Sequence, residues 1–167
     1  NEAILFSINK VCEYTNFDLG HYFLIKNDDL ISSGIWNENF DKTFNSFKNI
    51  SDRPDLLKTW DIPGKALDKG VAAWLDLETQ TDEHFIRSQF AKETGLKTGI
   101  WIPVKINERN IGILEFFKKE KEQPDQELLD YIYNIGLEIG RHCEKLEAIH
   151  KIKMSEKTLM DAQHIAK

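Results

Sequence analysis

Two apolar stretches, Thr98–Ile106 and Ile111–Phe117, flank the turn-forming Asn107-Glu108-Arg109-Asn110. A pair of that kind has few options besides an antiparallel hairpin. In the first stretch Ile100, Ile102, Val104 and Ile106 share one face by two-residue alternation. That unbroken apolar stripe predicts packing against helices. Gly99 and Trp101 then face the other way, and both faces of Ile111–Phe117 carry apolar residues, as expected of a sheet covered on both sides. Pro103 has no N–H to give a ladder and is expected at an edge or a bulge.

A second hairpin is predicted upstream, from His21-Tyr22-Phe23-Leu24-Ile25 across Asn27-Asp28-Asp29 to Leu30–Trp36. Before it, Ala3, Ile4, Leu5, Ile8, Val11 and Cys12 recur at helical spacing. Between the hairpins the chain reads as irregular with short helices. One is expected to start at Ser51-Asp52-Arg53-Pro54 and bury Leu56 and Leu57. A second runs through Ala66-Leu67 to Gly70, followed by an extended Val71–Leu75. A third is capped by Thr81 or Asp82, carries Phe85, Ile86 and Phe90, and stops at Gly95. From Pro124-Asp125 a long helix is predicted almost to the end. Strand pairs joined by short turns, with helices around them, predict an α+β fold on a mostly antiparallel sheet.

Within that last helix Ile132, Ile135, Ile139, His142, Leu146 and Ile149 are separated alternately by three and four residues. The spacing is a coiled-coil seam and predicts pairing with a second chain, the first members packing on the sheet. Lys153 and Glu156 take the next positions while Ile152 and Leu159 lie one register away, so the seam slips after Ile149. A solvated, fraying helix is the alternative beyond about residue 150.

Bulk composition narrows the function. With 28 acidic against 22 basic residues and a formal charge of -6, no basic stripe invites nucleic acid. No apolar run is long enough to span a bilayer. Two cysteines, Cys12 and Cys143, suit a reducing cytoplasm and no disulfide framework. The chain opens on Asn1 without a methionine, which reads as a piece cut from a longer protein.

Several segments in order carry a family resemblance. Trp60-Asp61-Ile62-Pro63-Gly64, Gly70–Asp76 and Phe85-Ile86-Arg87 resemble the middle of a GAF domain. So do Gly95–Gly99 with Pro103-Val104, Gly112–Phe117, and the closing Asp125, Leu128-Leu129, Ile135-Gly136 and Ile139-Gly140. The variety resembled sits beside PAS domains in bacterial sensor histidine kinases. The resemblance implies a GAF domain over residues 1–145, with terminal helices on one face of the sheet. On the other face an irregular segment closes over a small-molecule pocket. Residues 146–167 are then a linker and signalling helix, whose Glu156–Lys167 looks like the lead-in to a PAS domain. Adjacent PAS and kinase domains are the implied partners, together with a second copy of the chain.

Six residues are candidates for the implied pocket: Trp36, Trp60, Trp74, Phe85, Arg87 and Trp101. The rings would suit a small planar or amphipathic ligand, or supply ordinary core. Arg87 could reach an anionic ligand, or pair with Asp76 or Glu83 at the surface. Glu115, in mid-strand, reads as a part-buried carboxylate with a structural hydrogen bond, and His21 as a hydrogen-bonded core residue. Bilin-bearing relatives attach the chromophore through a pocket cysteine, and none lies between Cys12 and Cys143. A covalent bilin is therefore not expected, and neither is the chemistry of the cysteine-dependent methionine-sulfoxide reductases. His84 reads as a surface or capping residue, so haem is not expected. His142 and Cys143 diverge by about 100° on a helix and hold no metal together. No cofactor is assigned. With no nucleophile, phosphate-loop or phospho-acceptor motif, the fragment itself carries no catalytic site. The resulting expectation is a sensory or regulatory module of a histidine kinase, possessing a ligand pocket and a dimeric output helix. The alternative is a dimerising spacer of a sensor kinase or diguanylate cyclase that binds nothing.

Overall fold

A computed structural model describes residues 1–54 and 62–166. Helix α1 spans Glu2–Thr15 and ends at Asn16 in the left-handed conformation (φ 55°), which turns the chain into β1, Leu19–Lys26. β2, Asp29–Trp36, returns beside it. The middle of the chain supplies α2 (Asn45–Ser51), α3 (Ile62–Lys69), β3 (Ala73–Asp76) and α4 (Ser88–Glu93). β4 (Thr98–Ile106) and β5 (Arg109–Lys118) form the predicted hairpin, and α5 runs from Gln126 to Ile165.

The five strands make one sheet in the order β2-β1-β5-β4-β3, every neighbouring pair antiparallel. Alternation decides what each face meets. Ile100, Ile102 and Val104 of β4, with Leu114 and Phe116 of β5, pack against α1 and α5. Trp101, Ile113 and Phe117 face the opposite way, toward the irregular middle segment. Both faces are therefore buried, as the apolar run of β5 demands. β3 reaches only as far as the Ala73–Trp101 pair, so Pro103 lies where that side of β4 has no strand partner. Its missing donor costs no ladder bond there.

α5 begins at Asp125, whose carboxylate accepts from the backbone N–H groups of Glu127 and Leu128 and caps the first turn. Ile132, Gly136, Ile139 and Gly140 are its buried residues. Every residue from Glu144 to Ala166 is exposed. At roughly 1.5 Å per residue, the 40-residue helix is about 60 Å long, and it leaves the sheet behind after an exposed ion pair between Glu147 and Arg109 at the start of β5. Among the described residues, no helix is long and apolar enough to cross a membrane.

Two local expectations are corrected. Ser51-Asp52-Arg53-Pro54 closes a helix instead of opening one: α2 ends at Ser51, whose hydroxyl donates back to the Phe47 carbonyl. Leu56 and Leu57 lie outside the described residues. The helix expected from Asp82 starts only at Ser88. Phe85 and Arg87 precede it in a turn, because burying both against the sheet takes irregular backbone. Asp82 still serves that start, accepting a hydrogen bond from the Ser88 hydroxyl.

Candidate functional site

The middle of β5 places a carboxylate on the face opposite the helices. Glu115 is fully buried there, between Ile113 and Phe117 on the same side of the strand. An isolated charge so placed would be forced to neutralise. Instead it meets a guanidinium: Arg87, also fully buried, donates from Nη1 to Oε1 at 2.9 Å and from Nη2 to Oε2 at 2.7 Å. Trp101 Nε1 donates to Oε2 at 2.9 Å and His21 Nδ1 lies 2.9 Å from Oε1. Burial alone would raise the Glu115 pKa. The Arg87 charge, with the hydrogen bonds from Arg87 and His21, overrides it and holds the carboxyl at about 2.

Arg87 is as thoroughly enclosed as its partner. The Phe23, Phe47, Phe85 and Phe117 rings surround the guanidinium carbon, with centroids 5.0 to 5.6 Å away. Nη1 also donates to Ser51 Oγ at 2.8 Å, which ties the end of α2 to the cluster. Nε has no hydrogen-bond partner among the described residues. A planar cation suits this cage because its faces can lie against rings while its edge serves the carboxylate.

The polar chain continues outward through β1 and β2. His21 Nε2 lies 2.8 Å from Ser32 Oγ, which donates to Asp52 Oδ1 at 2.5 Å. A shift in the β1–β2 register between His21 and Phe23 brings Ser32 into reach. Asp52 also accepts from Trp36 Nε1 (2.9 Å) and from Lys48 (2.7 Å). The Trp36 ring stacks on His21 with centroids 4.0 Å apart. Burial depresses the His21 pKa against the opposing pull of Glu115. With Nδ1–H turned toward Glu115, Nε2 carries the lone pair and rests against a Ser32 oxygen whose one hydrogen is given to Asp52.

Trp36, Phe85, Arg87 and Trp101 are thus brought together on one side of the sheet. Trp74 is not with them. It is the second residue of β3, where Ala73 and Leu75 face the cluster, so its ring falls on the helix side, its Nε1 3.4 Å from the Glu122 carbonyl. Trp60 lies outside the described residues. Arg87 turns inward to Glu115, away from Asp76 and Glu83. His21, Ser51 and Asp52 join the cluster without having been singled out as partners. Glu115 was legible as a mid-strand carboxylate, but its spacing from Arg87 carries no periodic signal that would pair them. Among the described residues no group of three or more His, Cys, Asp or Glu is placed to hold a metal ion. Burial pushes the Cys12 thiol up to about 12 and the Cys143 thiol upward too, far from a nucleophile's range.

This geometry can hold a sheet face, a middle segment and the edge of β2 in one charged network. Its backbone frame has many counterparts among solved structures. One is the GAF domain of a two-component sensor histidine kinase from Bacillus halodurans, 18% identical, covering 86% of this chain and 95% of that one with a TM-score of 0.64. The chain has the GAF fold. The blue-light absorbing GAF domain of PixJ from Thermosynechococcus elongatus matches at 11% identity, 92% and 90% coverage and TM-score 0.68. The free methionine-R-sulfoxide reductase of Neisseria meningitidis, in complex with its substrate, matches at 15% identity, 84% and 75% coverage and TM-score 0.60. No protein-family model and no curated protein matches the sequence. A GAF frame shared by a kinase module, a photoreceptor and an enzyme fixes the architecture and leaves the activity to the site.

Proposed function

We propose that the chain is a regulatory GAF module of a multidomain signalling protein of the sensor histidine kinase type. It passes its state onward through a C-terminal helix paired with that of a second copy. The supporting observation is α5: its first turns pack on the sheet, while large apolar residues, Leu146, Ile149, Ile152 and Leu159, recur along it where every residue is exposed. A helix that belonged only to its own domain would have no use for that stripe. Residues 1–145 are read as the GAF domain and 146–167 as the connecting helix. The test uses the intact protein and reads its phosphorylation output. A one-heptad insertion after Glu156 preserves the helix phase and is expected to leave regulation intact. A two-residue insertion rotates everything beyond it by about 200° and is expected to lock or abolish the response. Identical output from the two insertions would defeat the reading.

The second reading, a relay that binds no small molecule, is favoured by a specific observation. The sheet face that a GAF ligand would occupy carries Trp36, Phe85, Arg87 and Trp101 as buried side chains knitted to Glu115. A sensing version needs the Arg87–Glu115 pair to open and offer its guanidinium to an anionic ligand. Native mass spectrometry on protein purified from the source organism separates the two. A stoichiometric small molecule lost on Arg87→Met supports sensing, and bare protein supports the relay.

A further inference from the structure

Strand β1 runs antiparallel to β5 with Leu24 opposite Gly112, so the β1–β2 turn comes to lie beside the first residues of β5. α3 meets them there, its Leu67 carbonyl accepting from Asn110 Nδ2 at 3.3 Å. These three elements enclose a groove of about 360 Å³, within the roughly 300–1,000 Å³ of small-molecule sites.

The groove has walls of three kinds. Ile25, Leu30 and Leu67 are apolar and belong to the core on the middle-segment side of the sheet. Asp28 and Asp68 bring two exposed carboxylates, and neither side chain has an ion-pair or hydrogen-bond partner among the described residues. Arg109 brings a guanidinium, and Asn110 a side-chain oxygen that is buried and accepts no hydrogen bond among the described residues. A buried acceptor left without a donor is costly. Two unpaired carboxylates around the same groove favour a cation beside it.

Arg109 serves two places at once. It lines the groove, and its Nη2 also lies 3.1 and 2.9 Å from the two oxygens of Glu147 on α5. Both side chains of that pair are exposed, so it is weakly held and readily exchanged.

We propose that this groove binds a small zwitterion, an α-amino acid with an apolar side chain. The ammonium group sits at Asp28 and Asp68 and donates to Asn110 Oδ1. The carboxylate takes Arg109, and the side chain lies on Ile25, Leu30 and Leu67. Such a ligand supplies the missing donor, pairs both signs of charge and covers the apolar wall. An amine leaves Arg109 unused, and a simple carboxylic acid leaves the two aspartates unpaired. The site is separate from the Arg87–Glu115 cluster. Asn110 and Glu115 are five residues apart on β5, roughly 17 Å at about 3.4 Å per residue, so the buried pair need not open. A carboxylate on Arg109 competes with Glu147, and occupancy is therefore felt where α5 leaves the sheet. None of this depends on the pairing of two helices.

Titrating the nitrogen-15-labelled 167-residue chain with L-leucine, leucinamide and isocaproate reads the site directly. L-Leucine is expected to shift the amide signals of Leu30, Leu67 and Asn110 saturably below about 10 mM, and each singly charged analogue to bind at least about tenfold more weakly. Asp28→Asn with Asp68→Asn is expected to weaken L-leucine about tenfold or more. Asparagine tolerates the left-handed backbone at 28 (φ 64°). Arg109→Gln is expected to weaken L-leucine by a similar factor and to leave leucinamide unchanged. Glu147→Gln frees Arg109 and is expected to tighten L-leucine about twofold to fivefold. All four substituted residues are exposed, so thermal melts should stay in place and exclude unfolding as the cause. L-Leucine that moves none of these signals at that concentration, binds no better than both analogues, or ignores the aspartate substitutions overturns the site. Shifts centred on Glu115 and Trp101 instead put the ligand on the sheet face and overturn it too. An affinity unchanged by Glu147→Gln overturns the link to α5.

Discussion

Replacing Glu115 with glutamine leaves the Arg87 guanidinium enclosed by four phenylalanine rings with no counter-charge. Breaking a buried pair on one side typically costs about 3–5 kcal/mol, much of it the stranded charge. Arg87→Met strands Glu115 in the same way, and each single variant is expected to lose stability of that order in urea unfolding. The double variant removes both charges and is expected to lose clearly less than the sum, a coupling of roughly 1–3 kcal/mol. Additive losses would mean that the pair acts as two independent residues. The acid limb gives an independent check. Glu115 titrates at about 2 in the folded chain, below the about 4.3 of an unfolded glutamate. A depressed pKa contributes stability that is present above the unfolded value and is lost as pH falls toward the folded one. Stability of the native chain should therefore drop between about pH 4.3 and about pH 2. The depressed His21 adds loss in the same direction, beginning nearer neutrality. In Glu115→Gln the lower part of that dependence should flatten, and an unchanged acid limb would remove Glu115 as its cause.

At the scale of elements, α5 is held to β4 by two glycines with unequal room. A Cβ on Gly140 would come within 2.0 Å of the Lys105 carbonyl oxygen, whereas one on Gly136 would sit 3.5 Å from that of Pro103. Gly140→Ala must lift the helix from the strand and is expected to cost about 2 kcal/mol or more, in the range of overpacked cores. Gly136→Ala meets ordinary contacts and is expected to be neutral, or stabilising by up to about 1 kcal/mol from helix propensity. Thermal melts of the two variants check the contrast. The hairpins and the two-faced β4–β5 pair were legible in the sequence because alternation and turn chemistry are local. So was the face of Trp101, which follows from the stripe opposite it. The face of Trp74 was equally open to alternation, since Ala73 and Leu75 flank it, but an aromatic beside a family motif outweighed that weak signal. The delayed start of α4 was not legible. Phe85 and Arg87 fit a helical spacing from Asp82, and only the tertiary demand of burying both on Glu115's side breaks it. The partnership of His21, Ser51 and Asp52 was hidden for the same reason: it joins β1, β5 and the end of α2 across long stretches of chain.

At the scale of the whole molecule, a two-faced sheet carries on one side the buried Arg87–Glu115 cluster and on the other the root of a long helix. Strand β5 bridges them, since Glu115 points into the cluster while Leu114 and Phe116 pack toward α1 and α5. A change in the Arg87–Glu115 pair therefore has one strand to cross before it reaches the helix. The account stands or falls on whether that helix joins two chains. Sedimentation equilibrium of the 167-residue chain beside one ending at Cys143 measures this directly, with circular dichroism confirming that both fold. The shorter chain keeps the buried contacts of α5 with the sheet and loses the exposed stripe from Leu146 onward. The account predicts a dimer for the full chain and association weaker by about tenfold or more for the truncated one. Equal monomer fractions in the two would contradict it.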